Sequence, residues 1–582
     1  MKNTVLALRT FFMLALPYFR SQDRWRACGL LAGVVGSELF VVYVAVKMNE
    51  WNGAFFNAIE ARNSGGVRSA LVVFVFITIG AILSGMGQYW FGQTLIIRWR
   101  EWMTERYVAL WMAEGRHYRI RFVDQTVDNI HLRIGNDVLL FIQRTHELGT
   151  GFLQSIVSLL SFAFILWGIS LTAPLPLFGV DLAFPGYLVV LAIGYAALGT
   201  VVAHFIGWPL IPLQFRQQRY ESDFRFGLAR VTDHADAVAL MGGEPVERSE
   251  LRRRFGALVR NWVSLVNRQN GLNGFIFGYY HVSTVFPALV VTPAYLVSAI
   301  SLGVLMQAAL AFQKVESAFA FCITSYAKIA EWRAVMNRVA QFEAAMGEVD
   351  RPGLAGAAID IEKTKGDSLS IRDLVLRLPS GEPIAAVPKL DLAPGERLQV
   401  TGASGAGKSS LFRGLAGTWP LGQGQVRLPE GPRVLALPQR PYFPLGTLRQ
   451  ALAYPLLSEE VDDASLRGAI AASGLGHLAD RLDDEEEWST VLSGGEQQRA
   501  GFARALIYRP TVLLLDEAVS TLEEAEARDL YRVLAERLPE TIIISTGRTI
   551  AHGDLHRRVM EMSGSPAAGR SQRQAAFADA PA

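Results

Sequence analysis

Six long apolar segments constrain this chain more than any other feature. In a chain of 582 residues, they fall at residues 28–46, 70–91, 151–171, 187–207, 274–296 and 304–324. Each approaches the roughly 20 residues that an α-helix needs to cross about 30 Å of hydrocarbon. Buried helices of soluble proteins have shorter apolar runs, of about 10–14 residues. The sequence therefore predicts a polytopic α-helical membrane domain with six transmembrane helices in a lipid bilayer.

The composition agrees with a membrane protein and identifies no partner. Apolar residues make up 51% of the chain and charged residues 19%, against a usual charged share of about 25% in soluble domains. The net charge is only +2. The two cysteines, Cys28 and Cys322, both lie in apolar runs, so they provide neither a disulfide framework nor a metal site.

The basic residues indicate the orientation in the membrane. Residues 92–150 hold eight arginines and residues 208–273 hold ten, whereas residues 172–186 hold neither Lys nor Arg. Because cytoplasmic loops carry an excess of Lys and Arg, the N-terminus, both basic loops and everything after the sixth segment are predicted to be cytoplasmic. This topology explains the basic loops, and we expect no nucleic-acid partner.

A change of composition after Phe342 divides the chain, because short apolar strands then alternate with helices, as in an α/β domain. Near the start, Pro17 interrupts a short apolar run, which favours an interfacial amphipathic helix over a secretory signal. The predicted regions are an interfacial helix at 1–27, the six-helix domain at 28–346, a linker at 347–366, the α/β domain at 367–562 and a disordered tail at 563–582.

The α/β region contains a phosphate-binding sequence. Residues 402–409 read G-x-x-x-x-G-K-S, between a predicted strand at 397–400 and a predicted helix that begins at Ser409. Backbone N–H groups of such a loop surround phosphate oxygens, Lys408 reaches the outer phosphates and the Ser409 hydroxyl completes a Mg²⁺ shell. The predicted nucleotide-binding residues of the loop are Gly402, Ala403, Ser404, Gly405, Ala406, Gly407, Lys408, Ser409 and Ser410.

Two acidic residues follow a second predicted strand. Residues 512–515 are apolar and are followed by Asp516 and Glu517. We predict that Asp516 holds the metal through water and that Glu517 is the catalytic residue that polarises the attacking water.

The sequence LSGGEQQR at 492–499 resembles the signature of ATP-binding-cassette (ABC) ATPases. The resemblance implies that two cassettes enclose two ATP molecules, with Ser493, Gly494 and Gly495 of one chain at the γ-phosphate held by the other. It also implies that Gln439, the matching Q-loop glutamine, contacts nucleotide and metal. One cassette per chain implies a homodimer. The whole is then an ABC half-transporter with an exporter-type fold and a P-loop cassette that uses ATP and Mg²⁺.

The membrane half carries further recognisable stretches. They include N-E-W-N-x-x-F at 49–55, R-I-x-x-D at 133–137, L-G-x-L-M-Q at 302–307 and E-W-R-A at 331–334. These resemble the SbmA/BacA-like family of peptide uptake proteins and, more distantly, the peroxisomal fatty-acyl transporters of the ABCD group. The resemblance implies coupling segments near residues 119–127 and 226–243. It also implies a bacterial inner membrane and uptake of peptides or similarly large amphipathic solutes.

Three positions depart from the cassette pattern. Leu378 stands where an aromatic residue usually stacks on adenine, and Glu523 lengthens the acid of the D-loop. Arg548 stands where relatives have a histidine at the γ-phosphate, so Arg548 is predicted to be a catalytic residue in its place. His552 is an alternative with different spacing, and His556 falls on a later histidine position of the family.

The solute and the direction of transport stay open at this stage. A lipid or fatty-acyl exporter or flippase would use the same fold, and a slow-hydrolysing nucleotide-gated membrane sensor is a third hypothesis. Glu38 lies in the middle of the first span, where it either lines the path, carries protons or packs against a polar group. Lys314 and Glu316 are interpreted as residues at the membrane interface.

Overall fold

A computed structural model describes residues 2–123, 130–172, 176–177, 180–181, 184–349, 359–378, 380–429, 434–547, 556–562 and 575–579. The chain divides into two compact units. Residues 1–108 and 129–341 form the first, which we call the membrane unit. Residues 109–128 and 342–582 form the second, which we call the cassette unit.

The first part of the chain is almost entirely helical. Its described helices are α1 (Lys2–Phe19), α2 (Arg24–Glu60), α3 (Ser64–Met112), α4 (Arg116–Val123), α5 (Ile130–Leu132), α6 (Val138–Thr172), α7 (Tyr187–Gly207), α8 (Leu210–Asp233), α9 (Ala235–Leu240), α10 (Glu244–Leu296), α11 (Leu302–Thr324) and α12 (Tyr326–Val349). A π-helical turn, Arg133–Asp137, joins α5 to α6. A two-residue antiparallel pair, β1 (Pro176–Leu177) and β2 (Val180–Asp181), lies between α6 and α7.

Five segments of the described chain are helical, long and apolar enough to cross a membrane, and they contain the first five predicted spans. The sixth predicted span coincides with α11, whose mean hydropathy is lowered by polar residues. α11 packs against α2, α6, α7 and α10. Two of its polar side chains, Gln307 and Glu316, are hydrogen-bonded to groups of neighbouring helices. These partners remove the need for water, so α11 tolerates polar residues that a lipid-facing helix would not.

The seam between α2 and α11 shows how closely these helices approach. The Asn49 amide donates to the carbonyl oxygen of Gln307 at 3.1 Å, and the Gln307 amide donates to the carbonyl oxygen of Asn49 at 3.2 Å. A Cβ added at Gly303 would lie 2.1 Å from the Gly53 carbonyl oxygen. Only glycine therefore fits at position 303, and its small size allows the two backbones to meet.

The first helix, α1, packs on the membrane unit through one face. Leu14, Ala15 and Tyr18 are buried, and the Tyr18 ring stacks on Trp99 with centroids 5.7 Å apart. On other positions of the helix, apolar side chains such as Phe12 are exposed. An exposed apolar face beside a packed one suits the predicted interfacial helix.

The cassette unit is built on two larger sheets. Its described strands are β3 (Asp360–Thr364), β4 (Leu369–Arg377), β5 (Pro383–Leu392), β6 (Arg397–Thr401), β7 (Gly422–Pro429), β8 (Val434–Leu437), β9 (Gly446–Thr447), β10 (Glu485–Glu486), β11 (Val512–Asp516), β12 (Ile542–Thr546), β13 (Arg558–Met562) and β14 (Ala575–Asp579). Its helices after the linker are α13 (Lys408–Leu415), α14 (Leu448–Ala453), α15 (Asp463–Ala472), α16 (Trp488–Val491), α17 (Gly494–Tyr508) and α18 (Glu524–Arg537).

The larger sheet has the strand order β14-β13-β6-β12-β11-β8, and all of its neighbours are parallel except β14. The smaller sheet has the order β3-β7-β4-β5 and is mostly antiparallel. The core between them includes Leu398, Leu411, Leu514 and Ile544, each at most 1% exposed. Because β6, β11 and β12 are parallel, their carboxyl ends meet at one edge of the sheet, where ligands bind in α/β folds.

Within the predicted tail at 563–582, residues 575–579 form the strand β14. β14 pairs with β13 in an antiparallel register, with Met560 opposite Phe577. This strand satisfies backbone groups that would otherwise be free along the edge of β13.

Candidate functional site

The phosphate loop connects β6 to α13 as the sequence predicted. Gly407 caps α13 with a φ of +90°, and an added Cβ would lie 2.9 Å from the Cγ2 atom of Ile384. Lys408 Nζ donates to the carbonyl oxygens of Gly402 at 2.7 Å and Ala403 at 3.0 Å. The ammonium group therefore lies on the loop itself, beside the N–H groups of the first turn of the helix. This arrangement places positive charge and hydrogen-bond donors together, as a phosphate requires.

The two predicted acidic residues lie at the end of β11, next to β12. The Thr546 hydroxyl donates to Asp516 Oδ1 at 2.9 Å, and the backbone N–H of Glu517 donates to the Thr546 side-chain oxygen at 3.2 Å. Glu517 has a φ of +52°, in the left-handed region that side chains rarely adopt. Such backbone strain clusters at functional sites, where it orients a side chain. Sequence reasoning gave Thr546 no role, although it follows the apolar part of the neighbouring strand.

A hydrogen-bond network centred on Gln498 joins three loops. Gln439 Nε2 donates to Ser520 Oγ at 3.3 Å. Gln498 is 2% exposed, and its amide nitrogen donates to the Gln439 carbonyl oxygen at 3.2 Å and to Ser520 Oγ at 3.1 Å. Its amide oxygen accepts from the backbone N–H of Thr521 at 3.1 Å. The Q-loop, the signature helix α17 and the D-loop are therefore held together by one buried amide.

The signature residues begin α17. Ser493 caps the helix in a capping box with Glu496, whose Oε2 accepts from the Ser493 N–H at 2.9 Å. Hydrogen bonds from Ser493 and then from His477 lower the pKa of the Glu496 carboxyl below its usual value. Ser493 and Gly494 are exposed. In the part of the chain that the structure describes, no side-chain hydrogen bond links Ser493 to the phosphate loop.

Three residues were considered for the position where relatives have a histidine, and the structure describes one of them. Arg548 and His552 lie outside the described residues. His556 is buried, with Nε2 at 2.6 Å from Ser545 Oγ and its ring packed against Tyr531, where burial raises the tyrosine pKa to about 12. His556 is thus part of the domain core. The last described residue before Arg548 is Gly547, whose added Cβ would lie 3.9 Å from the Cα of Glu517.

Leu378, at the predicted adenine position, is 40% exposed beside the turn between β4 and β5. Its N–H donates to the Glu382 carbonyl oxygen at 2.8 Å. An aliphatic side chain offers apolar contact to a base but no aromatic stacking surface.

A buried arginine supports the segment that follows the Q-loop, and sequence reasoning missed it. Arg504 Nε donates to the Ala451 carbonyl oxygen at 2.7 Å, and Nη1 donates to that of Tyr442 at 2.6 Å. Its guanidinium lies over the Phe443 ring, 4.6 Å from the centroid. Burial lowers the pKa of Arg504 to about 10, so it stays charged at neutral pH. Its hydrogen bonds to backbone carbonyls and its cation–π contact offset the cost of burial.

The first predicted coupling segment, residues 119–127, overlaps the second half of α4, which belongs to the cassette unit, and its residues 124–127 lie outside the described residues. The ring of Phe122 contacts Trp419 with centroids 5.1 Å apart. Trp419 Nε1 in turn donates to the Arg377 carbonyl oxygen at 3.1 Å. Residues 109–123 are therefore packed into the same unit as the phosphate loop, although they directly follow the second membrane segment in the chain.

Comparison with known proteins gives matches to both parts of the chain. A family profile described as "ABC transporter transmembrane region 2" matches residues 14–296, and one described as "ABC transporter" matches residues 387–520. The inner membrane ABC transporter ATP-binding protein YddA of Escherichia coli is 31% identical over 543 residues, covering 93% of this chain and 94% of the relative. The chain belongs to the ABC transporter family.

Two further proteins are similar to this chain over nearly its full length. The mouse lysosomal cobalamin transporter ABCD4 is 26% identical over 593 residues, covering 94% of this chain and 93% of the relative. A bacterial Atm1-family ABC exporter solved with ATP bound superposes with a TM-score of 0.65 at 16% identity, covering 94% of this chain and 95% of that chain. At this identity the likeness shows the fold alone.

These findings confirm the predicted fold class and enzyme class. The transporter has an α-helical membrane domain of the ABC exporter type followed by an ATP-binding cassette, and it is related to the ABCD group. It is a multi-pass membrane protein whose cassette lies in the cytoplasm. Its ATP hydrolysis is coupled to transport.

Proposed function

We propose that this half-transporter works as a homodimer that takes up peptides or similarly large amphipathic solutes across the inner membrane. The observation that best supports this proposal is the exposure of the signature residues. Ser493 and Gly494 are exposed at the start of α17, while Lys408 lies in the phosphate loop of the same chain with separate partners. A single chain thus holds two half-sites, each of which a second copy would complete.

We assign the chemistry of the completed site to this chain's own residues. Lys408 and the loop residues 402–410 hold the phosphates of ATP, and Ser493, Gly494 and Gly495 of the partner subunit's copy close over them. Glu517 accepts the proton of the attacking water, since its strained backbone fixes the direction of the carboxylate. Arg548 contributes positive charge to the γ-phosphate in place of histidine.

The residues present fit a Mg²⁺ ion. Ser409 and Gln439 offer neutral oxygens, and Asp516 accepts from Thr546 through Oδ1, which leaves its second oxygen for a metal-bound water. This matches the few protein ligands that Mg²⁺ keeps at phosphates, where substrate and water oxygens complete its shell. When bound, the ion neutralises charge on the phosphates. Ser409, Gln439 and Asp516 are therefore the residues that we expect to hold it.

The evidence about the solute comes mainly from the sequence of the membrane half. Its stretches between residues 49 and 342 resemble SbmA/BacA-like peptide uptake proteins. One full-length relative is named a lysosomal cobalamin transporter. Both observations support a large solute.

Uptake by whole cells tests this proposal. A fluorescent peptide is offered to cells that lack the gene, to cells that express the transporter and to cells that express Glu517→Gln at the same level. We expect uptake only with the wild-type transporter. Equal uptake in all three would reject peptide import, and transport of a labelled lipid in the same cells would indicate the acyl exporter or flippase.

A further inference from the structure

A cavity of about 450 Å³ lies within the membrane unit, between α7, α8, α10 and α11. Its wall is rich in aromatic residues, namely Trp208, Phe275, Tyr279 and Tyr280. The side that α7 contributes consists mostly of small residues, among them Gly199 and Ala203, which leave the space open. The lining lies toward the ends of these helices that the topology places in the cytoplasmic half of the membrane.

The wall contains one buried carboxylate. Glu316 is 8% exposed, and its Oε2 accepts a hydrogen bond from the Ser283 hydroxyl at 2.6 Å. The sequence interpretation placed Glu316 at the membrane interface, but packing of α10 against α11 buries it instead. Among the lining residues that the structure describes, Glu316 is the single acidic residue, and no Lys or Arg is present. The wall therefore supplies one carboxyl group, and none of its described lining residues is Lys or Arg.

The aromatic wall next to Glu316 is held firmly in place. The rings of Tyr195 and Tyr279 stack with centroids 4.6 Å apart. Each tyrosine hydroxyl donates to the other residue's carbonyl oxygen, from Tyr195 at 2.8 Å and from Tyr279 at 3.2 Å. The Tyr279 ring also occupies the space beside Gly199, where an added Cβ would lie 2.3 Å from it. This side of the cavity is therefore preorganised rather than shaped by a ligand.

Charge and shape together indicate what the cavity accepts. An ionisable group inside a membrane domain is costly to bury and marks solute paths when it faces a cavity. Aromatic faces attract organic cations through the negative potential of the ring. An apolar pocket with one well-placed polar group sets both orientation and specificity. A ligand that combines a positive group with an apolar body meets all three features.

We propose that this cavity binds the cationic group of an amphipathic solute, with Glu316 as its counter-charge and the Tyr279, Tyr280 and Trp208 rings around its apolar part. The inference rests on the proposed transport function and names the chemistry of the solute. It assigns to Glu316 a direct contact with the solute.

Two probes of matched shape and opposite charge test the proposal. Binding of tetraphenylphosphonium and of tetraphenylborate is measured with purified full-length transporter in lipid nanodiscs without nucleotide, and binding to empty nanodiscs is subtracted. We expect Glu316→Gln to weaken tetraphenylphosphonium binding at least about tenfold, as for loss of a partly buried charge pair. Tetraphenylborate binding should not weaken. Unchanged tetraphenylphosphonium affinity in Glu316→Gln would overturn the proposal.

A matched control uses another buried carboxylate of the membrane unit. Glu38 is 1% exposed and accepts a hydrogen bond from Gln88 at 2.6 Å, but it is not among the lining residues. Glu38→Gln should keep the wild-type affinity for tetraphenylphosphonium. An equal loss in Glu38→Gln and Glu316→Gln would mean that the effect is not specific to the cavity, and would overturn the assignment.

A second variant covers the case in which Glu316→Gln fails to give a single gel-filtration peak. Ala203→Phe keeps the carboxylate but fills the cavity, so it should also lose tetraphenylphosphonium binding. Wild-type affinity in Ala203→Phe would overturn the proposal by itself. Because this assay needs neither ATP nor a direction of transport, failure of peptide uptake in cells leaves its result unaffected, and the two failures are distinguishable.

Discussion

The buried side-chain amide of Gln498 donates a hydrogen bond to the backbone carbonyl oxygen of Gln439 at 3.2 Å. This bond joins the signature helix to the Q-loop within one cassette, across 59 residues of sequence. The same amide reaches Ser520 and Thr521 of the D-loop. One side chain therefore contacts all three loops.

Replacing Gln498 should disturb hydrolysis more than ATP binding. Gln498→Leu removes the partner of the Gln439 carbonyl and of the Thr521 N–H, and a hydrogen bond contributes a net of about 0.5–1.5 kcal/mol. We expect steady-state ATPase to fall about tenfold, equivalent to roughly 1.4 kcal/mol. ATP affinity should change little, because the phosphate loop keeps its own contacts.

The control for this variant is Gln425→Leu, which removes a hydrogen bond to Asp360 on the surface of the smaller sheet. ATPase and ATP affinity are measured for both variants under identical conditions. If Gln498→Leu behaves like Gln425→Leu, the network has no part in hydrolysis.

Glu517→Gln should bind ATP and form a stable closed dimer while losing hydrolysis. The amide keeps the shape of the side chain but cannot accept a proton from water. Phosphate release and dimer formation with ATP are measured together. Phosphate release above roughly a tenth of the wild-type rate would count against a general base at this position.

A mixing experiment tests whether the site is shared between two chains. Lys408→Ala disables the phosphate loop, and Ser493→Arg disables the signature, so each homodimer alone has no intact site. A mixed dimer has one intact composite site, and we expect it to recover part of the wild-type ATPase. If no mixing ratio restores activity, independent monomers are the better description.

The role of Arg548 is tested by two substitutions. Arginine only donates hydrogen bonds, but its permanent charge and planar fork match phosphate oxygens. A well-placed arginine in phosphoryl transfer accelerates the reaction by about 10³-fold or more. We therefore expect Arg548→Ala to lower turnover, whereas Arg548→His should keep or raise it.

ATPase rate and ATP affinity are compared for the three Arg548 proteins. If alanine matches the wild type in both quantities, Arg548 does not contact the phosphate. His552 would then be the next residue to substitute, because His556 is fixed in the core by its contact with Ser545.

The local parts of the site could be predicted because their signals are contiguous in sequence. The predicted strand at 397–400 corresponds to β6, and the predicted helix after the loop is α13, which begins one residue earlier, at Lys408. The acidic pair also lies where expected, with Asp516 as the last residue of β11 and Glu517 directly after it. In both places a short apolar run leads directly into the residues of the turn, so the signal lies within one stretch of sequence.

The long-range parts could not be predicted, because their partners are far apart in the chain. Nothing in the signature sequence states that Gln498 contacts the Q-loop, or that Thr546 supports Asp516 from a neighbouring strand. Glu316 was misinterpreted for the same reason. A charged residue near the end of an apolar run suggests the interface, and only the packing of α10 places Ser283 beside it.

Transport by reconstituted vesicles tests the central claim most directly. Purified transporter is inserted into liposomes, and ATP added outside energises only the copies whose cassettes face outward. For these copies, uptake into the cell corresponds to movement out of the vesicle lumen. We predict ATP-dependent loss of a preloaded labelled peptide with wild type and no loss with Glu517→Gln. ATP-dependent accumulation of external peptide in the lumen, or no ATP-dependent movement in either direction, would contradict the account.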